Sequence, residues 1–179
     1  ALEYPVPHAR NAILDITSER CKLLDGRNIT VMADGFGANL ALAPFRPGIG
    51  FRVERPARVV LLCPWLDLSH SNCMNEAIDP FQDCAQLAAC AQRYSAGHPA
   101  SVPAISAAFG QFGGWESLYI QSTENDMLSS DALRFARKVA DAGEQVNLDF
   151  FSGGFHLFQV STYESPEGQV ALQRLLANI

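Results

Sequence analysis

Three short stretches hold the residues able to do chemistry: Asp34-Gly35-Phe36-Gly37, Glu124-Asn125-Asp126 and Gly153-Gly154-Phe155-His156. Each follows a segment that reads as a strand. A carboxylate and an imidazole so placed can form a proton relay. The imidazole takes a proton from a nucleophile, and the carboxylate fixes the ring's tautomer and supports its charge. The first stretch is where that nucleophile would stand. "VMADGFGANLALA", Val31 to Ala43, runs from an apolar strand through small residues into an alanine-rich helix, the local pattern of a nucleophile elbow. Its apex is Gly35, which has no side chain. Taken singly, Asp126 also suits a turn or helix entry, His156 a hydrogen-bonded loop, and the glycines a plain strand-to-helix connection. The order elbow, acid, histidine, each after a strand, joins them into one arrangement.

Positioning three such loops requires strands that all end on one side. Apolar spacing predicts a helix over Ala9 to Leu24, with Ala9, Ala12, Ile13, Ile16 and Leu23/Leu24 near one face, stopped by Asp25-Gly26. Asn28 to Ala33 reads as a β-branched strand, and the helix after Gly37 is limited to about two turns by Pro44 and Pro47. "ARVVLLC", Ala57 to Cys63, is a continuous apolar run of the kind buried on both faces of a sheet. A helix over Phe81 to Tyr94 follows, then an irregular connection from Ser95 to Gly114 of the length that is often functional or mobile. Ser117 to Ser122 and Val146 to Phe151 are further strands. They flank a helix capped by Ser129 or Ser130 in which Leu133, Ala136 and Ala140 share a face. Pro166-Glu167 opens a closing helix bearing Val170, Leu172, Leu175 and Leu176. Strand and helix alternate, so the fold class is α/β: a parallel sheet with helices on both faces and chemistry beyond the strands' carboxyl ends.

Composition narrows the partners. The 179 residues suit a single domain, 1–179, and 48% apolar with 18% charged residues is the balance of a globular chain. A net charge of -6 with no basic stripe disfavours nucleic acid, and Arg134, Arg137 and Lys138 read as one solvated helix face. Cys21, Cys63, Cys73, Cys84 and Cys90 form no CxxC pair and no zinc spacing, which predicts reduced thiols or inert core residues and a cytoplasmic setting. Nothing in the spacing implies a metal or an organic cofactor. No apolar run approaches the ~20 residues of a membrane span, and the first residues lack a signal-peptide pattern.

The motifs resemble those of the hormone-sensitive-lipase-like branch of the α/β-hydrolases, which includes many carboxylesterases. "ADGFGANLALA" resembles that family's GDSAGGNLA elbow, with Gly35 at the nucleophile position. "EYPVPHA" at Glu3 to Ala9 resembles EHPFPAA, and "CPWLDLS" at Cys63 to Ser69 resembles SPWLDLS. The segments around Asp126 and His156 resemble those carrying the catalytic acid and the catalytic histidine. The resemblance runs in register over nearly the whole chain. It implies an α/β-hydrolase fold whose four strands here are consecutive, with the family's HGGG oxyanion motif, N-terminal strands and cap lying upstream of this chain. It also implies carboxylic-ester hydrolysis through an acyl-enzyme, with Asp126 orienting His156 and the Phe36 N–H serving the oxyanion hole.

Gly35 departs from the family pattern. A left-handed elbow residue with a side chain carries about 1–3 kcal/mol of strain, and glycine adopts that backbone freely, so the turn is kept while the nucleophile is lost. The expectation is an impaired esterase. The alternatives are a non-catalytic ligand-binding or scaffold protein and a serine-to-glycine change in an active enzyme. The Phe36 side chain replaces a small residue and is expected to crowd the site. Trp65 and Phe155 are candidate substrate-binding residues, with Phe109, Phe112 and Trp115 weighed beside them as acyl-pocket or core residues. The first strand would be left as an edge, which predicts a cover: a second polypeptide carrying the upstream strands, or a homo-oligomer.

Overall fold

The computed structural model describes residues 8–24, 29–46, 55–69, 79–161 and 165–179. Most of "EYPVPHA" and the Asp25-Gly26 helix stop lie outside them. Four strands, β1 (Thr30–Asp34), β2 (Arg58–Leu62), β3 (Ser117–Thr123) and β4 (Val146–Phe151), form one sheet in the order β1-β2-β3-β4. All three pairings are parallel. Five helices accompany them: α1 (His8–Leu24), α2 (Gly35–Ala41), α3 (Cys84–Ser95), α4 (Ser129–Asp141) and α5 (Pro166–Leu176). The α/β class and all four strands therefore stand as read from the sequence.

Strand alternation divides the core. Val31, Ala33, Val59, Leu61, Leu118, Ile120, Val146 and Leu148 turn to one face, where Ala38 and Leu42 at α2 and Phe135 and Val139 of α4 pack on them. Val60, Leu62 and Tyr119 turn to the other, against Leu175 of α5. A second cluster, Trp65, Leu68, Tyr94, Ile105, Met127 and Leu128, lies beyond the carboxyl ends of β2 and β3 and underlies the loops there.

In α1 and α4 the helix faces differ from the periodicity reading, and in α5 the structure selects one face. In α4 the buried stripe is Ala132, Phe135, Ala136 and Val139, while Leu133 is exposed. In α5 it is Gly168, Ala171 and Leu175, with Val170, Leu172 and Leu176 outside. In α1 Leu14 is buried, whereas Ile16 and Leu23 are exposed. Each of these helices carries apolar residues on more than one face, so spacing alone does not select the packed one. Helix α3 begins at Cys84 and not at Phe81, because Asp83 caps it by accepting the Gln86 N–H.

The long connection after α3 is pinned down. Asn39 of α2, wholly buried, donates to the Ile105 carbonyl at 2.8 Å and accepts the Ala107 N–H at 2.7 Å. Arg46 donates to the Ala104 carbonyl at 2.8 Å. The stretch after β2 is tied down likewise. The Asp131 carboxylate accepts the N–H groups of Leu66 and Asp67, both at 2.7 Å, and Leu68 donates to Ser106 Oγ at 2.9 Å. Arg134 reaches both Asp131 and Asp67. "CPWLDLS" is thus a floor whose buried donors are met by α4 and by the long connection.

The expectation of reduced thiols fails at Cys84, which is disulfide-bonded, while Cys63 and Cys90 are free. Irregular spacing hid the pairing, because a disulfide depends on distance in space. Among the described residues no helix is long and apolar enough to cross a membrane.

Candidate active site

The three stretches meet. Gly35 stands one residue past the end of β1 with φ of +42°, and its carbonyl accepts the Trp65 N–H at 2.9 Å. A β-carbon built on Gly35 would lie 3.4 Å from His156 Nε2 and 3.7 Å from its Cε1, which is ordinary contact. On the far side of the ring, His156 Nδ1 lies 3.0 Å from Asp126 Oδ2. An ionised carboxylate can only accept, so a neutral ring paired with it carries its proton on Nδ1 and turns the Nε2 lone pair toward Gly35.

The acid is locked. Asp126 is wholly buried, and its Oδ1 accepts the Leu128 N–H at 2.8 Å and Gln82 Nε2 at 3.4 Å. The ring is one side open, with 15% of its side-chain surface exposed. Three further bonds clamp the acid turn to the histidine turn. Thr123 Oγ1 donates to the Gly153 carbonyl at 2.7 Å, the Glu124 N–H to the Phe151 carbonyl at 3.0 Å, and Asn125 Nδ2 to the Gly154 carbonyl at 3.0 Å. Gly154 has φ of +90°, and a β-carbon there would meet the Phe158 ring at 2.8 Å. Glycine is required at that position both for its backbone and for the close approach.

Phe36 does not crowd the site. Its ring packs into the second cluster, 5.7 Å from the Trp65 ring and 4.9 Å from that of Tyr94. Trp65 is 5% exposed and its Nε1 donates to the Asp67 carbonyl, so it forms the floor below the elbow. Phe112 and Trp115 belong to the main core. Phe155 is the one aromatic of the sequence-derived set that sits beside the histidine with partial exposure. Its ring lies 4.9 Å from that of Phe81, which is 66% exposed. Asp79 holds Phe81 there: its Oδ1 accepts the Phe81 and Gln82 N–H groups, and its Oδ2 accepts the Met127 N–H. The sequence reading missed Gln82 and Phe81, because nothing in their spacing marks a segment that folds back onto a turn more than forty residues away, and it missed Thr123, whose tie to Gly153 crosses from the end of β3 to the turn after β4.

Cys63 Sγ, an Asp126 carboxylate oxygen and a His156 ring nitrogen lie within 4.8 Å of one another, a donor set of metal-binding type. Burial, and then the Asp126 charge, push the Cys63 thiol well up from its ordinary range. A metal would have to displace that proton and open the Asp126–His156 bond, so the donor set fits a metal poorly.

Fold and geometry agree with the family comparison: the family model described as alpha/beta hydrolase fold matches residues 1–160, and the chain belongs to that family. Among curated relatives it is 30% identical over 148 residues to an acetyl-hydrolase of Streptomyces hygroscopicus, covering 81% of this chain and 50% of that protein. It is 29% identical over 185 residues to an esterase of Acinetobacter venetianus, covering 96% of this chain and 58% of that protein. Among solved structures, EstE5 superposes with a TM-score of 0.88 at 23% identity, covering 96% of this chain and 60% of that one. An esterase from the bacterial hormone-sensitive lipase family superposes with a TM-score of 0.87 at 23% identity, covering 96% and 59%. The chain therefore spans half to three-fifths of the length of these relatives.

Proposed function

We propose that this chain is the acid–base and elbow portion of a carboxylic-ester hydrolase whose turnover is greatly reduced by Gly35. The observation that carries this is the 3.4 Å between His156 Nε2 and the point where a residue-35 side chain would begin. A serine Oγ placed there has hydrogen-bond reach of the base. With a serine, the chemistry would be acyl transfer. Oγ attacks the ester carbonyl as Nε2 takes its proton, the alcohol leaves with that proton, and water deprotonated by His156 releases the acid. Asp126 holds the tautomer throughout. The Phe36 N–H is the proposed oxyanion donor, and Phe155 with Phe81 the proposed wall for the apolar part of the ester. Trp65, set as a substrate-binding residue from the sequence, would act from below by supporting Phe36.

A second reading is favoured by one observation: the Asp126–His156 pair and the Phe81–Phe155 pair are both built although the nucleophile is missing. Such a site can bind a small apolar ligand or ester without turning it over. The proposed partner is a polypeptide carrying the upstream strands, or a second copy. Support comes from β1, which pairs only with β2 among the described strands and leaves Met32 46% exposed. Beside it runs a groove of about 400 Å³ lined by Ile13, Thr17, Met32 and Leu40. The disulfide at Cys84 fits an oxidising compartment better than the cytoplasmic one expected from cysteine spacing.

The test is hydrolysis of a short-chain aryl ester by the chain and by its Gly35→Ser variant, each alone and with a polypeptide supplying the upstream strands. Activity confined to the serine variant supports the disabled hydrolase. Equal activity with Gly35 contradicts it. Tight ligand binding with no hydrolysis by either form favours the binding protein.

A further inference from the structure

Cys63 closes β2, and none of the chemistry above uses it. Its φ is +43°, a strained backbone for a residue with a side chain, which persists only where the surroundings enforce it. Among the described residues three non-glycines have positive φ: Cys63, Ala96 and Leu157. Ala96 is the C-cap of α3, an ordinary place for that backbone. The other two are bonded to each other. Leu157 (φ +56°) donates its N–H to Cys63 Sγ at 3.4 Å, and the Gln159 amide lies 3.8 Å from the same sulfur. Cys63 is wholly buried, and its own N–H is held by the Gln121 carbonyl at 2.8 Å. The sulfur is therefore a fixed point on the sheet that receives the turn immediately following His156. It also lies within 4.8 Å of the Asp126 carboxylate and the imidazole.

We propose that Cys63 is a positioning residue for the Asp126–His156 pair: its sulfur anchors the left-handed turn behind the imidazole and so sets the ring against both Asp126 and Gly35. It is not a substitute nucleophile. A buried thiol kept protonated beside a carboxylate has neither the charge nor the access for attack. The proposal rests on reading Asp126 and His156 as an acid–base pair, and its first test does not depend on hydrolysis.

Proton NMR of the chain as it stands should show a downfield, slowly exchanging imidazole N–H from the His156–Asp126 bond, assigned by its loss in His156→Gln. In Cys63→Ala the turn loses its acceptor, and the resonance should shift upfield and exchange faster. Cys63→Ser keeps a polar acceptor and should recover most of the original signal. In the Gly35→Ser background, Cys63→Ala should lower kcat about tenfold or more with KM within about twofold, since misplacement of a base acts on the chemical step. An unchanged resonance and exchange rate in Cys63→Ala would overturn the proposal, as would the absence of any such proton in the unaltered chain. If Gly35→Ser hydrolyses nothing, the hydrolase reading fails while the NMR result still decides the role of Cys63.

Discussion

The carboxyl ends of β3 and β4 carry a built acid–base pair and Gly35 at the carboxyl end of β1 carries no side chain, although a β-carbon on Gly35 would lie 3.4 Å from His156 Nε2. Asp126 has both oxygens engaged, and three hydrogen bonds fasten its turn to the histidine turn. At β1 the backbone is equally well made: Gly35 takes the left-handed conformation, and Trp65 holds its carbonyl. On the proposed reading, what this end of the sheet lacks is the reacting group. Backbone geometry and chemistry are therefore separable in this site, because the elbow depends on φ/ψ and on the floor beneath it, whereas attack depends on one oxygen.

That contrast can be broken from either side. The largest effect is expected at the acid–base side: adding His156→Gln to Gly35→Ser should remove essentially all of the gained ester turnover, on the order of 10⁶-fold in a complete triad, measured as kcat. Retained turnover would mean that the base is elsewhere. Next comes the floor. Asp131→Ala leaves the Leu66 and Asp67 N–H groups buried without their acceptor, and should cost about 3 kcal/mol in denaturant unfolding. A loss below about 1 kcal/mol would show that the elbow does not rely on it. Third, Thr123→Val removes one of the three ties between the acid and histidine turns. It should cost about 1–2 kcal/mol of stability, and in the Gly35→Ser background lower kcat more than it raises KM.

The smallest effect tests the opposite face of the sheet, away from the chemistry. Tyr119 donates to Asp149 at 2.6 Å, and burial, then that bond, push its phenol up from 10.0. The unfolded chain releases this proton near pH ~10 while the folded chain holds it, so stability falls as pH rises above that value. Tyr119→Phe should flatten the fall above pH ~10. An unaltered alkaline slope would refute the assignment.

The sheet was legible because its strands are apolar runs or β-branched segments that end at glycine or turn residues. The pairing of Asp126 with His156 was legible because each follows a strand in a sheet whose loops converge. What escaped reading depends on side chains that travel. Asp79 and Gln82 fold back onto the acid turn, Asn125 bridges to Gly154, and Asn39 holds a connection that composition suggested was loose. Phe36 was expected to obstruct the site, yet a ring beside a glycine turn can rotate into the apolar cluster below, and it does. Helix faces were misread where apolar residues encircle the helix, as Leu133 and Ile16 show.

The measurement closest to the central claim is the rate of short-chain aryl ester hydrolysis by the Gly35→Ser variant against the chain itself, with the upstream strands supplied. A complete triad gains on the order of 10⁶ from its nucleophile, so a gain of at least about 10³-fold is expected. The same rate for both, at any level, would contradict the account of Gly35 as the vacancy in an otherwise built site.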